Sequence, residues 1–121
     1  MKLNIIDCTL RDGGYYNNWD FNIDLANKYL HVMREANVDV VEIGYRFAPQ
    51  SVYKGPFAYT TENLIKLLDV PENGPQLAIM LDEKDVSNCE FGWELFVSKF
   101  VSHSNDSKVS YIGLLFIMTG F

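Results

Sequence analysis

An α/β fold of about (βα)₃β is predicted for this 121-residue chain by three observations. Short apolar or β-branched runs alternate with amphipathic stretches at a repeat of roughly 30–35 residues, the size of one βα unit. Long loops (9–21 and 45–59) follow the strands, whereas short ones follow the helices. No linker, low-complexity segment or inserted domain interrupts the alternation. In a parallel α/β architecture the C-terminal ends of the strands carry the long loops and the chemistry. The pattern therefore points to the N-terminal half of a TIM (β/α)₈ barrel. A closed barrel needs eight strands and usually about 250 residues, so residues 1–121 are expected to be a partial domain, truncated before the barrel closes.

The elements follow in order. Leu3–Asp7 reads as a short buried-type strand and 9–21 as a loop rich in Gly, Asn and aromatics. Asn22 is placed to cap a helix running to about Ala36. Leu25, Ala26, Tyr29, Leu30, Val32, Met33 and Ala36 share one face of that helix, and Asp24, Lys28, His31 and Glu35 share the other. Val38–Ile43 is β-branched and reads as a second strand ending at Gly44. After the loop with Pro49, Gly55 and Pro56, Thr60 or Thr61 caps a helix whose apolar face is Leu64, Ile65, Leu67 and Leu68. Pro71-Glu72-Asn73-Gly74-Pro75 breaks the chain. Gln76–Leu81 is expected as strand three and Asp82–Asn88 as a polar loop. A helix over about Cys89–Val101 should bury Trp93, Phe96, Val97, Phe100 and Val101. Residues 102–107 form a turn, and Val109–Met118 completes the pattern as strand four.

Composition narrows the function. Apolar residues make up 48% and charged residues 21%, as in ordinary soluble domains. With a net charge of −6 and no basic run, nucleic acid and anionic membrane surfaces are excluded as partners, since both demand clustered Lys and Arg. The N-terminus reaches Asp7 too soon for a signal sequence, and the apolar run from Ile112 to Met118 is far short of a membrane span. Two cysteines, Cys8 and Cys89, form neither a CxxC nor a dense framework, which makes a reducing cytoplasm the expected location. Cys8 is expected to be a small buried residue.

The chemistry concentrates where the first strand runs into Arg11-Asp12-Gly13-Gly14. Asp12, exposed by a glycine-rich turn at a strand end, suits a hard cation, and the adjacent Arg11 suits a developing oxyanion. The same turn could equally satisfy itself by local hydrogen bonds. Glu42 lies in an apolar strand on the face of Val40. If that face is interior, the carboxylate needs a cation such as Arg11 or Arg46; otherwise it faces a helix and reaches solvent. Asp7 is placed to orient Arg11 or Thr9. Lys54 and Lys84 lie in loops that follow strands, but neither has an apolar setting to activate it as a Schiff-base amine. His31 reads as a surface residue, and His103 sits just past a helix end. Neither histidine belongs to an HxH, HxxxH or HxxE pattern, so the sequence holds no complete metal site. Tyr15, Tyr16, Asn17, Asn18 and Trp19 read as loop packing or a polar-aromatic wall, with packing favoured for Trp19.

Asp-Cys-Thr-Leu-Arg-Asp-Gly-Gly (7–14) followed by Val-Glu-Ile-Gly (41–44) resembles the DRE-TIM metallolyases. That group includes hydroxymethylglutaryl-CoA lyase, the isopropylmalate and homocitrate synthases and 4-hydroxy-2-oxovalerate aldolase, which share an HMG-CoA lyase-like, or pyruvate carboxyltransferase, domain. Arg-Asp-Gly-Gly-Tyr-Tyr-Asn-Asn-Trp is most similar to the aldolase-type members, and the resemblance extends from Leu3 to about Leu81. It implies a TIM barrel in which Asp12 ligates Mg²⁺ or Mn²⁺, Arg11 stabilises an enolate and Glu42 is the acidic partner on strand two. The implied reaction makes or breaks a C–C bond of a 2-oxo acid. Two departures follow from the same resemblance: the family's H-x-H metal pair is missing, and Tyr15 stands where several aldolases carry a proton-transferring histidine. Two further readings remain open. One is a non-catalytic half barrel that forms a homo-oligomer or pairs with another chain through its open edges. The other is a small flavodoxin-like domain, which lacks support because no Gly-rich phosphate turn follows strand one.

Overall fold

A computed structural model describes residues 2–101 and 106–116. Four strands form one parallel sheet in chain order: β1 (Ile6–Asp7), β2 (Val40–Tyr45), β3 (Gln76–Asp82) and β4 (Val109–Leu115). Their registers begin at Ile6↔Val40, Val40↔Gln76 and Leu77↔Val109. Parallel neighbours in chain order require a crossover after each strand, and helices supply it. They are α1 (Thr9–Gly13), α2 (Ile23–Glu35), α3 (Pro56–Tyr59), α4 (Glu62–Leu67), α5 (Glu83–Ser87) and α6 (Trp93–Phe100). The predicted (βα)₃β, half-barrel-like α/β architecture is the one observed. No helix among the described residues is long and apolar enough to cross a membrane.

Local chemistry sets the element limits. Asn22 caps α2 by accepting from the Asp24 N–H at 2.7 Å, and Thr61 caps α4 by accepting from Leu64 at 3.2 Å. Asp82 caps α5, accepting from Lys84 at 3.0 Å, so part of the expected polar loop 82–88 is a helical turn. The helix expected from Cys89 starts only at Trp93. Strand two extends through Gly44 to Tyr45 instead of ending at Ile43. His103, the turn at 102–105 and the end of the expected fourth strand at 117–118 lie outside the described residues.

The core lies between the sheet and its helices, where Val41, Ile43, Leu77 and Ile79 meet Ala26, Leu30, Phe57 and Ile65. It is narrower than the sequence suggests. Leu25 and Val32 on α2, Ala36 just past its end, Leu67 on α4 and Trp93 on α6 are exposed, because the sheet contacts only part of each apolar helix face. On α6 the buried side begins at Phe96, which stacks on Phe100 at 4.5 Å. The first strand is also not of the buried type: Leu3, Ile5 and Ile6 are exposed, since β1 has only β2 beside it among the described residues. For the same reason Cys8, which follows β1, is exposed rather than buried.

One irregularity positions the site. The β2–β3 register slips between Glu42 and Gly44, so Glu42 pairs with Ala78 and Tyr45 with Met80. An extra residue at such a bulge changes which side chains share a face. Glu42 and Tyr45, three positions apart, thereby both lie on the sheet face turned away from the helices. Gly44 faces the helix side, where a β-carbon would collide with the Phe57 carbonyl.

Candidate functional site at the ends of the first two strands

The chain leaves β1 through Asp7, whose carboxylate accepts from the Thr9 N–H at 3.2 Å and the Thr9 hydroxyl at 2.8 Å. The Tyr29 hydroxyl of α2 also donates to it. Asp7 therefore orients Thr9 and not Arg11, one of the two roles open to it. These bonds, with Asp12 N–H to Cys8 C=O at 2.8 Å, wind residues 9–13 into one helical turn, and a 3₁₀ turn follows over Gly14–Tyr16. The expected open Arg-Asp-Gly-Gly loop is thus helical. Consecutive residues on a helix point about 100° apart, and Arg11 and Asp12 separate accordingly.

Arg11 turns toward the sheet. Its Nε donates to Glu42 Oε2 at 2.8 Å, and both side chains are only 17% exposed. A carboxylate on this face would be costly alone, and Arg11 neutralises it. Burial would lower the Arg11 pKa, but the hydrogen bond and charge of Glu42 outweigh it and raise the value above that of a free guanidinium. Arg46, the other candidate partner, lies on the helix side of β2. It donates to Thr60 C=O at 2.8 Å, Phe100 C=O at 2.8 Å and Glu62 Oε1 at 3.1 Å.

Asp12 points outward, 69% exposed, with its nearest cation, Arg11 Nη1, at 3.7 Å. As an open carboxylate it fits one oxygen position of a hard divalent cation, which takes six or more. Glu42 is committed to Arg11, and among the described residues no three His, Cys, Asp or Glu converge into a metal-holding group.

Tyr15 stands above the pair, its ring about half exposed and its hydroxyl 2.8 Å from that of Tyr45. Tyr45 is fully buried, and its hydroxyl pairs with that of Tyr15. Burial, then the bond to Tyr15, pushes the Tyr45 pKa well above the ordinary phenol value, with Arg11 opposing. Tyr45 is a site residue that sequence reasoning missed, because only the bulge turns it inward. Trp19 is buried, as expected of packing, and its indole N–H donates to the Arg11 carbonyl at 2.8 Å. It also sits edge-on to Tyr15, Tyr45 and Phe47. Tyr16, Asn17 and Asn18 are exposed. Below these groups the sheet face holds an open hollow of about 240 Å³ lined by Ile6, Val40, Glu42, Ala78, Met80 and Gly113.

The other candidates stay apart. Lys54 bonds Asn18 at 3.3 Å and lies over the Trp19 ring, whereas Lys84 is exposed. His31 pairs with Asp69 at 2.9 Å on the outer side of α2. The structure thus brings Arg11, Glu42 and Tyr15 together, joined by Tyr45, with Asp12 on the rim.

No protein-family model and no curated protein matches the chain. Among solved structures it is similar to the N-terminal domain of a candidate aldolase from Bacteroides vulgatus, with 35% sequence identity and a TM-score of 0.65. The match covers 93% of this chain and 35% of that one, so the chain spans about a third of the neighbour's length. At this identity and score the two share a fold.

Proposed function

We propose that the chain forms the first part of an aldolase site of the DRE-TIM, HMG-CoA lyase-like kind. The site would make or break a C–C bond next to the carbonyl of a pyruvate-type 2-oxo acid. The observation that carries this reading is the Arg11–Glu42 pair at the C-terminal ends of β1 and β2. Glu42 uses the Nε edge of the guanidinium and holds its plane, leaving other N–H groups for a substrate oxygen. A cation fixed in a half-buried setting stabilises negative charge on an enolate oxygen without reorganising when that charge appears. Asp12 would supply one ligand of Mg²⁺ or Mn²⁺, which when bound polarises the keto group. The other ligands would have to come from residues beyond those described. The likeness to a candidate aldolase supports the general class, and the substrate and metal are assigned from Arg11, Glu42 and Asp12.

Exchange of the pyruvate methyl protons with deuterated solvent, followed by NMR in the presence of Mg²⁺, tests the reading through its first step. Exchange above the Mg²⁺ background, lost in Arg11→Ala, is expected. A rate at background for the intact chain, together with no Mg²⁺-dependent pyruvate binding that Arg11→Ala abolishes, defeats the reading.

A second reading is favoured by a separate observation. The edge strands carry exposed apolar side chains, Ile6 on β1 and Tyr111, Ile112 and Leu114 on β4. Such edges suit a half barrel that associates with another copy.

A further inference from the structure

The hydroxyls of Tyr15 and Tyr45 are 2.8 Å apart, and either could donate. Their surroundings decide which one does. Tyr45 is fully buried, and among the described residues its hydroxyl is paired only with that of Tyr15. If Tyr45 merely accepted, its own proton would be buried without a partner, so Tyr45 donates to the Tyr15 oxygen. Tyr15, about half exposed, then accepts from Tyr45 and is left with its own proton to direct away from the sheet. The bonds form a directed chain: Arg11 binds Glu42 and flanks Tyr45, Tyr45 donates to Tyr15, and Tyr15 donates outward. The aromatic wall keeps the Tyr15 ring in place, with Trp19 at 4.7 Å and Tyr45 at 6.1 Å between ring centres.

We propose that Tyr45 is a positioning residue that fixes the Tyr15 hydroxyl proton outward, making Tyr15 a hydrogen-bond donor to a carbonyl or carboxylate oxygen held near Arg11. The identity of the bound oxygen rests on the 2-oxo acid reading above; the direction of the hydroxyls does not. In its neutral form Tyr15 acts as donor, because its own proton is the one left to point outward once its oxygen accepts from Tyr45. Tyr45 touches no substrate and acts through Tyr15 alone.

Two measurements test this on the intact chain labelled with ring-¹³C tyrosine. In the first, without ligand, NMR locates the slowly exchanging hydroxyl proton of the pair. A protected proton on Tyr45, exposed to exchange in Tyr15→Phe, is expected; a protected proton on Tyr15, or on neither, overturns the proposal. In the second, pyruvate with Mg²⁺ is titrated into the unaltered chain and three tyrosine variants. Tyr15→Phe should weaken binding about 10-fold, as loss of a hydrogen bond to a charged ligand does. Tyr45→Phe should weaken it about threefold, and the double variant should match Tyr15→Phe alone, since residues acting through one group are not additive. Additive losses mean that Tyr45 acts through Arg11 and overturn its assigned role. Failure of the unaltered chain to bind pyruvate removes the 2-oxo acid reading and the ligand role of Tyr15, while the first measurement still decides the hydroxyl direction.

Discussion

Gly14 lies directly against the indole of Trp19, and a β-carbon at Gly14 would overlap the ring. The backbone there is ordinary right-handed helix, with φ −62° and ψ −18°, so glycine is required for space and not for conformation. The close approach lets the indole N–H reach the Arg11 carbonyl and fixes the turn that aims Arg11 at Glu42. Gly14→Ala should therefore cost about 1–3 kcal/mol by overpacking and displace the indole. Urea unfolding with tryptophan fluorescence measures the first effect. The second appears as a weakened Arg11–Glu42 coupling in a double-mutant cycle, and an unchanged coupling means the turn does not depend on Trp19.

Removing the acidic half of the Arg11–Glu42 pair has a different signature. Both side chains are largely buried, so Glu42→Ala leaves a guanidinium without its counter-charge, a loss of about 2 kcal/mol. Glu42→Gln keeps one acceptor and the side-chain volume, and should lose about half of that. Chemical denaturation of the two variants separates charge from packing: equal losses would assign the whole effect to the missing charge, and no loss in Glu42→Gln would assign it to packing.

Much of this site is legible in the sequence, and what is not legible has a physical cause. Val-Asp-Val-Val-Glu-Ile announces a strand, and a carboxylate inside it calls for a cation. Which arginine answers depends on the extra residue in β2, which turns Tyr45 inward and Arg46 outward. Such a bulge has no signature in Val-Glu-Ile-Gly-Tyr. The single turn of α1 is hidden by Gly13 and Gly14, which read as a loop. Periodicity finds the apolar faces that hold Leu25, Val32 and Leu67, but it does not report how much of each face another element covers.

Tyr29 supplies a pH dependence. Burial, reinforced by its hydrogen bond to Asp7, raises its pKa from 10.0 to about 12. The neutral phenol is the form the fold favours, so its contribution to stability is complete below pH 10. It is lost as pH rises through about 12. Tyr29→Phe should flatten stability between those limits, because no phenol remains to ionise. Unfolding midpoints measured across that range check this, and parallel curves for the two proteins would assign the alkaline loss to another group.

Thr61 tests whether α4 depends on its cap. Its hydroxyl accepts from the Leu64 N–H at 3.2 Å at the start of a six-residue helix too short to persist by itself. Thr61→Ala should cost about 1 kcal/mol, and Thr61→Ser should restore most of it. Because α4 presents Ile65 to the core, amide hydrogen exchange in 62–67 should accelerate in the Ala variant. Unchanged exchange would show that Ile65 packing alone holds the helix.

Association through the open sheet is separable from catalysis. Among the described residues β1 and β4 each have one strand neighbour, and β4 shows Tyr111, Ile112 and Leu114 to solvent at 48%, 46% and 42% exposure. Unpaired edge groups beside apolar side chains favour pairing with a second copy, and a lysine on an edge strand opposes it. Sedimentation velocity should therefore find the chain associated at micromolar concentration, with Tyr111→Lys shifting it toward monomer. Tyr111 shares the hollow with Glu42 but, among the described residues, forms no hydrogen bond or ion pair with Arg11, Glu42, Tyr45 or Tyr15, so the same substitution should leave the protected Tyr45 proton in place. A monomeric unaltered chain would remove the association reading and leave the strand-end site as the one functional feature to pursue.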